Sequence, residues 1–225
     1  KNLQLGVSSR TCRMQGSTQV PCTQEAADQL QQQPVKQHAV AAVDNLHDVV
    51  LGDDAKDSPP TGPGNARWSP PQSGYFKLNF DAGRVNEDWH GWGFVIRNHM
   101  GDVVLAGVQQ NKGFASPEVE EARACLYALR SAMAQGFRRL IIEGDCQPLI
   151  RKLQLRLIPN NTLGLFISDI LSLVERLDFY AWNFVKRGSN EVAHAIAHLL
   201  PITSGARLWD EGGPDIVYDL ATSDM

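Results

Sequence analysis

The sequence predicts an α/β domain, a mixed five-stranded sheet with helices on both faces. Three strand-like segments follow one another between residues 75 and 110, the last two joined by a short turn. Helical patterns then alternate with two further strand-like segments. A helix between two strands implies a crossover connection, so an antiparallel start followed by crossovers gives a mixed sheet covered on both faces.

The first three strands are expected to form an antiparallel meander. YFKLNF (75–80) alternates polar and apolar residues, which predicts a half-buried first strand. GWGFVIRN (91–98) predicts the second strand and VVLAGVQQ (103–110) the third. HMGD (99–102) joins these last two as a tight hairpin turn.

The next predicted element is a long helix. Ser116 is a suitable N-cap, Pro117 fits the first helical position, and Gly136 ends the helix. The elements that follow are a strand at 138–145, helices at 146–155 and 163–177, a strand at 178–187 and a closing helix at 189–200. The fourth strand ends on an acid, as the first does.

Composition divides the chain into three parts. Residues 1–66 are rich in Gln, Pro, Gly and Asp and are expected to be a mostly disordered leader. Residues 67–200 carry the strand and helix patterns and are expected to form the folded domain. Residues 201–225 are expected to be an irregular C-terminal tail. The sequence does not begin with Met, which is consistent with a fragment of a longer chain.

Composition also disfavours several classes of protein. The net charge of −4 is unlike that of a protein that coats DNA, although a local basic face is compatible with it. No apolar run approaches the roughly 20 residues that cross a bilayer, so no membrane partner is expected. The four cysteines show no CxxC spacing, which favours free or buried thiols in a reducing compartment over a zinc site. The motifs GxSxG, GxxxxGK[ST] and HExxH do not occur.

Three acids are the candidate functional residues. Asp81 ends the first strand, Asp145 ends the fourth, and Glu121 lies early in the helix between them. Each has a structural alternative: a turn for Asp81, stabilisation of the helix dipole for Glu121 and a helix cap for Asp145. If the two strands are parallel neighbours, however, the acids converge. Converging carboxylates repel one another and need a cation, and oxygen ligands suit Mg²⁺ or Mn²⁺.

The motifs resemble those of the type 1 RNase H fold over residues 68–200. They are most similar to the RNase H-like domain of many plant proteins and of plant non-LTR retroelement polyproteins. The resemblance rests on WSPPQSGYFKLNFDAG, GWGFVIRNHMGDVVLAG, the pattern E-x-x-A-x-x-x-A-L from Glu121, LIIEGDCQPLI and VKRGSNEVAHAIAHLL.

The resemblance implies metal-dependent hydrolysis of the RNA strand of an RNA–DNA hybrid. By position, Asp81, Glu121 and Asp145 match three of the family's four metal-binding carboxylates. The resemblance then implies that Asp81 bridges two ions, that Glu121 and Asp145 each hold one, and that a water attacks the phosphate.

The fourth carboxylate does not carry over. The family has Asn-Glu-x-x-Asp in its last helix, whereas this chain has His194 at the acidic position. His194 is therefore either a ligand, better suited to Mn²⁺ than to Mg²⁺, or a helix residue facing the rim of the site. The segment before this helix is too short for the mobile loop with a catalytic His that many active relatives carry. Two hypotheses follow, a functioning nuclease and a nucleic-acid-binding or scaffold module with impaired chemistry.

Three residues are candidates for contact with nucleic acid. Asn190 matches a family residue that lies close to the cleaved strand, and its alternative role is to cap the last helix. Lys186 and Arg187 lie beside that helix and are candidates for phosphate contacts. A hybrid duplex is recognised mainly by its shape, its phosphates and its 2′-hydroxyls.

Overall fold

A computed structural model describes residues 67–202, 204–210 and 213–225. The strands are β1 (Phe76–Arg84), β2 (Trp89–Arg97), β3 (Val103–Lys112), β4 (Arg139–Gly144), β5 (Phe179–Phe184) and β6 (Gly205–Trp209). The helices are α1 (Pro117–Ala134), α2 (Gln147–Gln154), α3 (Thr162–Val174), α4 (Glu191–Ala197) and α5 (Asp215–Ser223). The leader predicted for residues 1–66 lies outside the described residues.

The strands form one mixed sheet in the order β5-β4-β1-β2-β3-β6. Pairing is antiparallel between β1 and β2, between β2 and β3, and between β3 and β6. Pairing is parallel between β4 and each of its neighbours, β1 and β5. The predicted mixed α/β sheet is confirmed, but the predicted count of five strands is wrong. The sixth strand is an edge strand in which apolar Leu208 is exposed while Arg207 and Trp209 are partly buried, so its sequence does not show the apolar inner face that marks a half-buried strand.

The segment 201–225, which was expected to be irregular, contains β6 and α5. Val217 and Ala221 of α5 are buried against Val95 and Ala106 of the sheet. These two residues are four apart, so they lie on the same side of the helix. The apolar stripe is short and flanked by Gly and Pro, which is why the sequence pattern did not reveal it.

The helices cover both faces of the sheet, as predicted. The helices α1, α2 and α3 pack on the face that carries Leu78 and Phe80. The helices α4 and α5 pack on the opposite face, which carries Val95 and Val108. Within the described residues, no helix combines the length and the apolar character needed to cross a bilayer.

Two glycines of β2 allow α4 to lie very close to the sheet. A Cβ atom at Gly91 would overlap the carbonyl oxygen of Ala197, and one at Gly93 would overlap the backbone of the same helix. Because neither residue has a side chain, the backbone of α4 can rest directly on the strand. This close approach holds His194 and His198 above the end of β1.

Candidate metal and active site

The pairing of β1 with β4 brings two acids to the same edge of the sheet. The two strands are parallel, with Asn79 opposite Glu143. Asp81 and Asp145 each lie two residues further along, so they end side by side. Glu121 approaches them from α1, and one oxygen of each carboxylate lies within 4.8 Å of the others. The three acids singled out in the sequence are therefore neighbours in the structure.

Burial makes this cluster electrostatically unfavourable without a cation. The Asp81 residue is fully buried. Burial raises its pKa, and the charge of Asp145 raises it further against the lowering effects of His194 and Arg187. Burial also raises the pKa of Glu121 well above its ordinary value, and the charges of Asp81 and Asp145 add to that shift. Each carboxylate would therefore gain stability from a nearby positive charge.

Two oxygens of the cluster have the properties of ligands. The Oδ1 atom of Asp81 and the Oε2 atom of Glu121 are both buried, and neither accepts a hydrogen bond from the described part of the chain. A buried oxygen without a hydrogen bond is unfavourable unless it contacts an ion or a water. Carboxylate oxygens are the ligands that Mg²⁺ and Mn²⁺ prefer, so the residues present fit a divalent cation.

The histidine at the fourth position contacts the cluster. The Nδ1 atom of His194 lies 2.9 Å from Oδ2 of Asp81. The His194 side chain is 34% exposed, whereas that of Asp81 is inaccessible to solvent. His194 therefore borders both the carboxylates and the solvent, and its position is compatible with either of the roles expected for it.

Arg187 supplies a positive charge to the same carboxylates. Its Nη1 atom donates a hydrogen bond to Oδ2 of Asp145 at 2.9 Å and lies 3.6 Å from Oδ1 of Asp81. Burial tends to lower the pKa of Arg187, but the hydrogen bond to Asp145 and the charge of Asp81 raise it overall. The side chain remains 56% exposed, so it can leave the carboxylates for solvent.

Asn190 lies in a different environment from the one expected for a nucleic-acid contact. It is only 1% exposed. Its Nδ2 donates to the carbonyl of Phe80 at 3.0 Å, and its Oδ1 accepts from Nδ2 of Asn79 at 3.3 Å. Asn190 occupies the N-cap position of α4, but its side chain makes no capping hydrogen bond. It holds the start of α4 against β1, next to Asp81, and has almost no surface to offer a ligand.

Lys186 and Arg187 are both exposed, and Arg187 opens the short 3₁₀ turn Arg187–Ser189 that leads into α4. Arg187 contacts the carboxylates, Lys186 precedes it in the chain, and both side chains are accessible to a large ligand. Of the three residues expected to contact nucleic acid, these two have the exposure that such a contact requires.

Sequence reasoning missed a polar network beneath the site. Asn79 accepts a hydrogen bond from Nε1 of Trp68 at 3.1 Å and donates to Glu143 at 3.1 Å. Glu143 also pairs with Lys77 at 2.9 Å. This network fixes β1 and β4 side by side just before Asp81. The alternation in KLNF suggested that Lys77 and Asn79 face solvent, and nothing local to the sequence showed that this face is covered.

The neighbouring acid Glu120 has a structural position. It is buried and accepts hydrogen bonds from the Ala115 amide at 2.8 Å, from Trp92 Nε1 at 2.9 Å and from Arg123 at 2.9 Å. Adjacent helical residues differ by about 100° around the axis, so Glu120 and Glu121 face different surroundings. Glu120 anchors the first turn of α1, and this helps to hold Glu121 towards the other two acids.

Comparison with known proteins places this geometry in a family. A family model described as reverse transcriptase-like matches residues 79–200, which is more than half of the chain. The chain belongs to the reverse transcriptase-like family. A comparison with curated proteins gave no match.

Solved structures similar to this reverse transcriptase-like chain include RNases H. RNase H1 from Halobacterium salinarum NRC-1 has a TM-score of 0.50 and 25% identity, covering 55% of this chain and 95% of that one. The N-terminal RNase H domain of Rv2228c from Mycobacterium tuberculosis has a TM-score of 0.50 and 18% identity, covering 66% and 97%. The RNase H-like domain expected from the sequence motifs is confirmed.

Proposed function

We propose that this chain is a divalent-metal-dependent nuclease that cleaves the RNA strand of RNA–DNA hybrids. The observation that carries the proposal is the convergence of Asp81, Glu121 and Asp145, whose oxygens lie within 4.8 Å of one another. Membership of the reverse transcriptase-like family and the likeness to an archaeal RNase H1 support the same function.

The three carboxylates would hold Mg²⁺ or Mn²⁺. When bound, such ions activate a water and stabilise the leaving oxygen of a phosphodiester. The contribution of this chain is to hold its acids at fixed positions: Asp81 through the pairing of β1, Asp145 through the adjacent β4, and Glu121 through α1. Asn190 keeps α4 against the backbone at Phe80 and so helps to fix the position of Asp81.

Lys186 and Arg187 would position the hybrid through its phosphates. Both are exposed, and Arg187 contacts Asp145 directly. Arginine matches a phosphate with paired N–H groups, and lysine contributes a point charge. We expect the affinity for a hybrid to fall with salt in proportion to the number of phosphate contacts.

One observation favours a second candidate function, that of a hybrid-binding module with impaired chemistry. A histidine occupies the fourth acidic position, and Arg187 donates a hydrogen bond to Asp145. Both features make the cluster less negative than four carboxylates would be. A weaker cation site would leave binding intact while slowing cleavage.

The primary test incubates a labelled RNA–DNA hybrid with the full chain in Mg²⁺ and, separately, in Mn²⁺. Asp81→Asn removes one charge from the cluster, and Asp178→Asn is the matched control. Asp178 is exposed and precedes β5, at the edge of the sheet opposite Asp145. We expect metal-dependent cleavage in the wild type and in Asp178→Asn, and its loss in Asp81→Asn. Cleavage that persists unchanged in Asp81→Asn would overturn the proposal.

A second variant separates the two candidate functions. His194→Asp restores an acid at the fourth position and is expected to strengthen Mg²⁺ binding. If the wild type binds the hybrid without cleaving it and His194→Asp cleaves it in Mg²⁺, the natural chain is the binding module. Cleavage by the wild type itself supports the nuclease.

A further inference from the structure

A second group of metal-ligating side chains adjoins the carboxylates. Asp81, His194 and His198 each offer one ligand atom, and these atoms lie within 4.8 Å of one another. The two histidines are four residues apart at the end of α4, and their ring centroids are 4.1 Å apart. This group offers two nitrogens and one oxygen, whereas the carboxylate cluster offers only oxygens.

His198 is oriented as metal-binding histidines usually are. Its Nδ1–H donates to the backbone carbonyl of His194 at 2.9 Å. That hydrogen bond places the proton on Nδ1 and leaves a lone pair on Nε2. A hydrogen bond of this kind to the second ring nitrogen fixes the tautomer and the ring orientation in many metal sites.

A glycine in β1 makes room for the His198 ring. A Cβ atom built at Gly83 would overlap the imidazole, so any other residue there would displace the ring. Gly83 lies two residues beyond Asp81 on the same strand. The strand that supplies the carboxylate thus also has the gap that holds the second histidine beside it.

His194 and Asp81 are already at the separation of two ligands on one ion. Nδ1 of His194 lies 2.9 Å from Oδ2 of Asp81. Two ligands of a tetrahedral zinc ion stand about 3.3 Å apart, given Zn–N distances of about 2.0 Å. No two of the three ligand atoms are more than 4.8 Å apart. Each pair of atoms therefore has to approach by at most about 1.5 Å to reach the separation of two ligands on one zinc ion.

Arg187 contacts the same histidine. Its Nη2 atom lies 2.6 Å from Nδ1 and 2.9 Å from Nε2 of His194. With the proton on Nδ1, His194 donates to Asp81 and accepts from Arg187 at Nε2. An ion on Nδ1 would require that proton to move to Nε2 and the guanidinium to turn outward, which its 56% exposed side chain allows.

We propose that Asp81, His194 and His198 form a binding site for a divalent transition-metal ion of the zinc type. Imidazole nitrogens suit Zn²⁺ and Co²⁺ and are poor ligands for Mg²⁺. Three protein ligands with a fourth position open is the arrangement of a zinc site that retains a water. This inference goes beyond the proposed nuclease function, because it requires neither hybrid binding nor cleavage.

The test measures metal binding to the full chain after treatment with a chelator. Zn²⁺ is titrated by calorimetry, and Co²⁺ by the visible d–d absorption that develops in a site of low coordination number. His194→Gln and His198→Gln each remove one ligand, and His99→Gln is the matched control. His99 is exposed and lies in the turn between β2 and β3.

We expect the wild type and His99→Gln to bind Zn²⁺ with the same affinity and to give the same Co²⁺ spectrum. We expect His194→Gln and His198→Gln to weaken Zn²⁺ binding at least tenfold and to abolish the spectrum. Gly83→Ala retains all three ligands but displaces the His198 ring, so it should also weaken binding. Thermal unfolding of each variant checks that the fold is retained.

Zinc binding that is equally tight in folded His198→Gln, or absent from the wild type, would overturn the proposal. This outcome is separable from a failure of the nuclease proposal. Hybrid cleavage in Mg²⁺ tests the carboxylates, whereas the Co²⁺ spectrum reports nitrogen ligation by the two histidines. Either result can be obtained without the other.

Discussion

Replacing Asp224 by Asn removes the partner of a buried arginine. Arg97 in β2 and Asp224 just after α5 form an ion pair of 2.7 Å, and their side chains are 1% and 2% exposed. Burial lowers the pKa of Arg97, and the hydrogen bond to Asp224 works against that shift. Nε and Nη2 of Arg97 donate no hydrogen bond to the described residues, so Asp224 is its principal polar partner there.

The expected cost follows from this geometry. Removing one member of a buried ion pair costs about 3–5 kcal/mol, because the other charge is left without compensation. Asn keeps an oxygen that can accept from Arg97, and the guanidinium still lies 3.5 Å from the centre of the Trp68 ring. We therefore expect the lower end, about 3 kcal/mol. For a chain of this size that corresponds to a fall in Tm of roughly 6–12 °C.

The assay is urea unfolding followed by tryptophan fluorescence, with Tm measured in parallel. Asp219→Asn is the matched control, because Asp219 is exposed on α5 and the substitution removes the same charge. We expect this control to stay within about 0.5 kcal/mol of wild type. Arg97→Met in the Asp224→Asn background should recover part of the loss, because it removes the uncompensated charge.

Refutation is equally direct. If Asp224→Asn unfolds within about 0.5 kcal/mol of wild type, the ion pair does not hold the C-terminal segment to the sheet. If the two substitutions are simply additive in the double variant, the two charges do not interact, whatever their separation.

Three further predictions concern the site. Burial and the charges of Asp81 and Asp145 raise the pKa of Glu121 above its ordinary value of 4.5. The folded state therefore binds the proton of the Glu121 carboxyl more tightly than the unfolded state does. The stability that this gives is lost as the pH rises above 4.5. Glu121→Gln cannot ionise, so in a chelator at pH 7 its Tm should exceed that of wild type by roughly 3 °C or more; equal values from pH 4 to 7 would contradict this. Arg187→Gln removes a positive charge 2.9 Å from Asp145. Calorimetry should show Mg²⁺ binding that is about three- to tenfold tighter than in wild type. An unchanged affinity would mean that Arg187 does not oppose binding of the cation. Asn190→Ala breaks two buried hydrogen bonds and should lower the free energy of unfolding in urea by about 1–3 kcal/mol. The folded variant should bind the hybrid with the affinity of wild type. Weaker binding at unchanged stability would indicate that Asn190 contacts the hybrid.

Much of the fold was predictable because its signals are local. The alternation in KLNF and the Pro and Ser at the start of α1 each indicate an element within a few residues. The prediction that both strands end on an acid holds for β4, which Asp145 follows, whereas β1 continues past Asp81 to Arg84 because that part of the strand still pairs with β2. The convergence of Asp81 with Asp145 was predictable because parallel neighbouring strands end at the same edge. The placement of Glu121 required only that α1 cross between those strands.

The remainder depends on which surfaces meet. Asn190 matches a family position, yet its burial depends on Asn79 from a distant strand. The i, i+4 spacing of His194 and His198 is visible in the sequence, but the relation of His198 to Asp81 requires α4 to lie on Gly91 and Gly93 of β2. The edge strand β6 has a charged residue, Arg207, on its partly buried side and Leu208 on its exposed side, so polarity along the sequence does not reveal which side packs on the domain.

The sequence by itself determined the order of the elements from β1 to α4 and the strand patterns that contain or precede Asp81 and Asp145, because periodicity, caps and turns act over short stretches of chain. Only the tertiary structure decided the partners of those acids. It set Arg187 and His194 against the carboxylates, and it buried Arg97 against Asp224 far along the chain. Long-range pairs of this kind arise from the packing of separate elements, so the local sequence does not indicate which charged residues will form a pair.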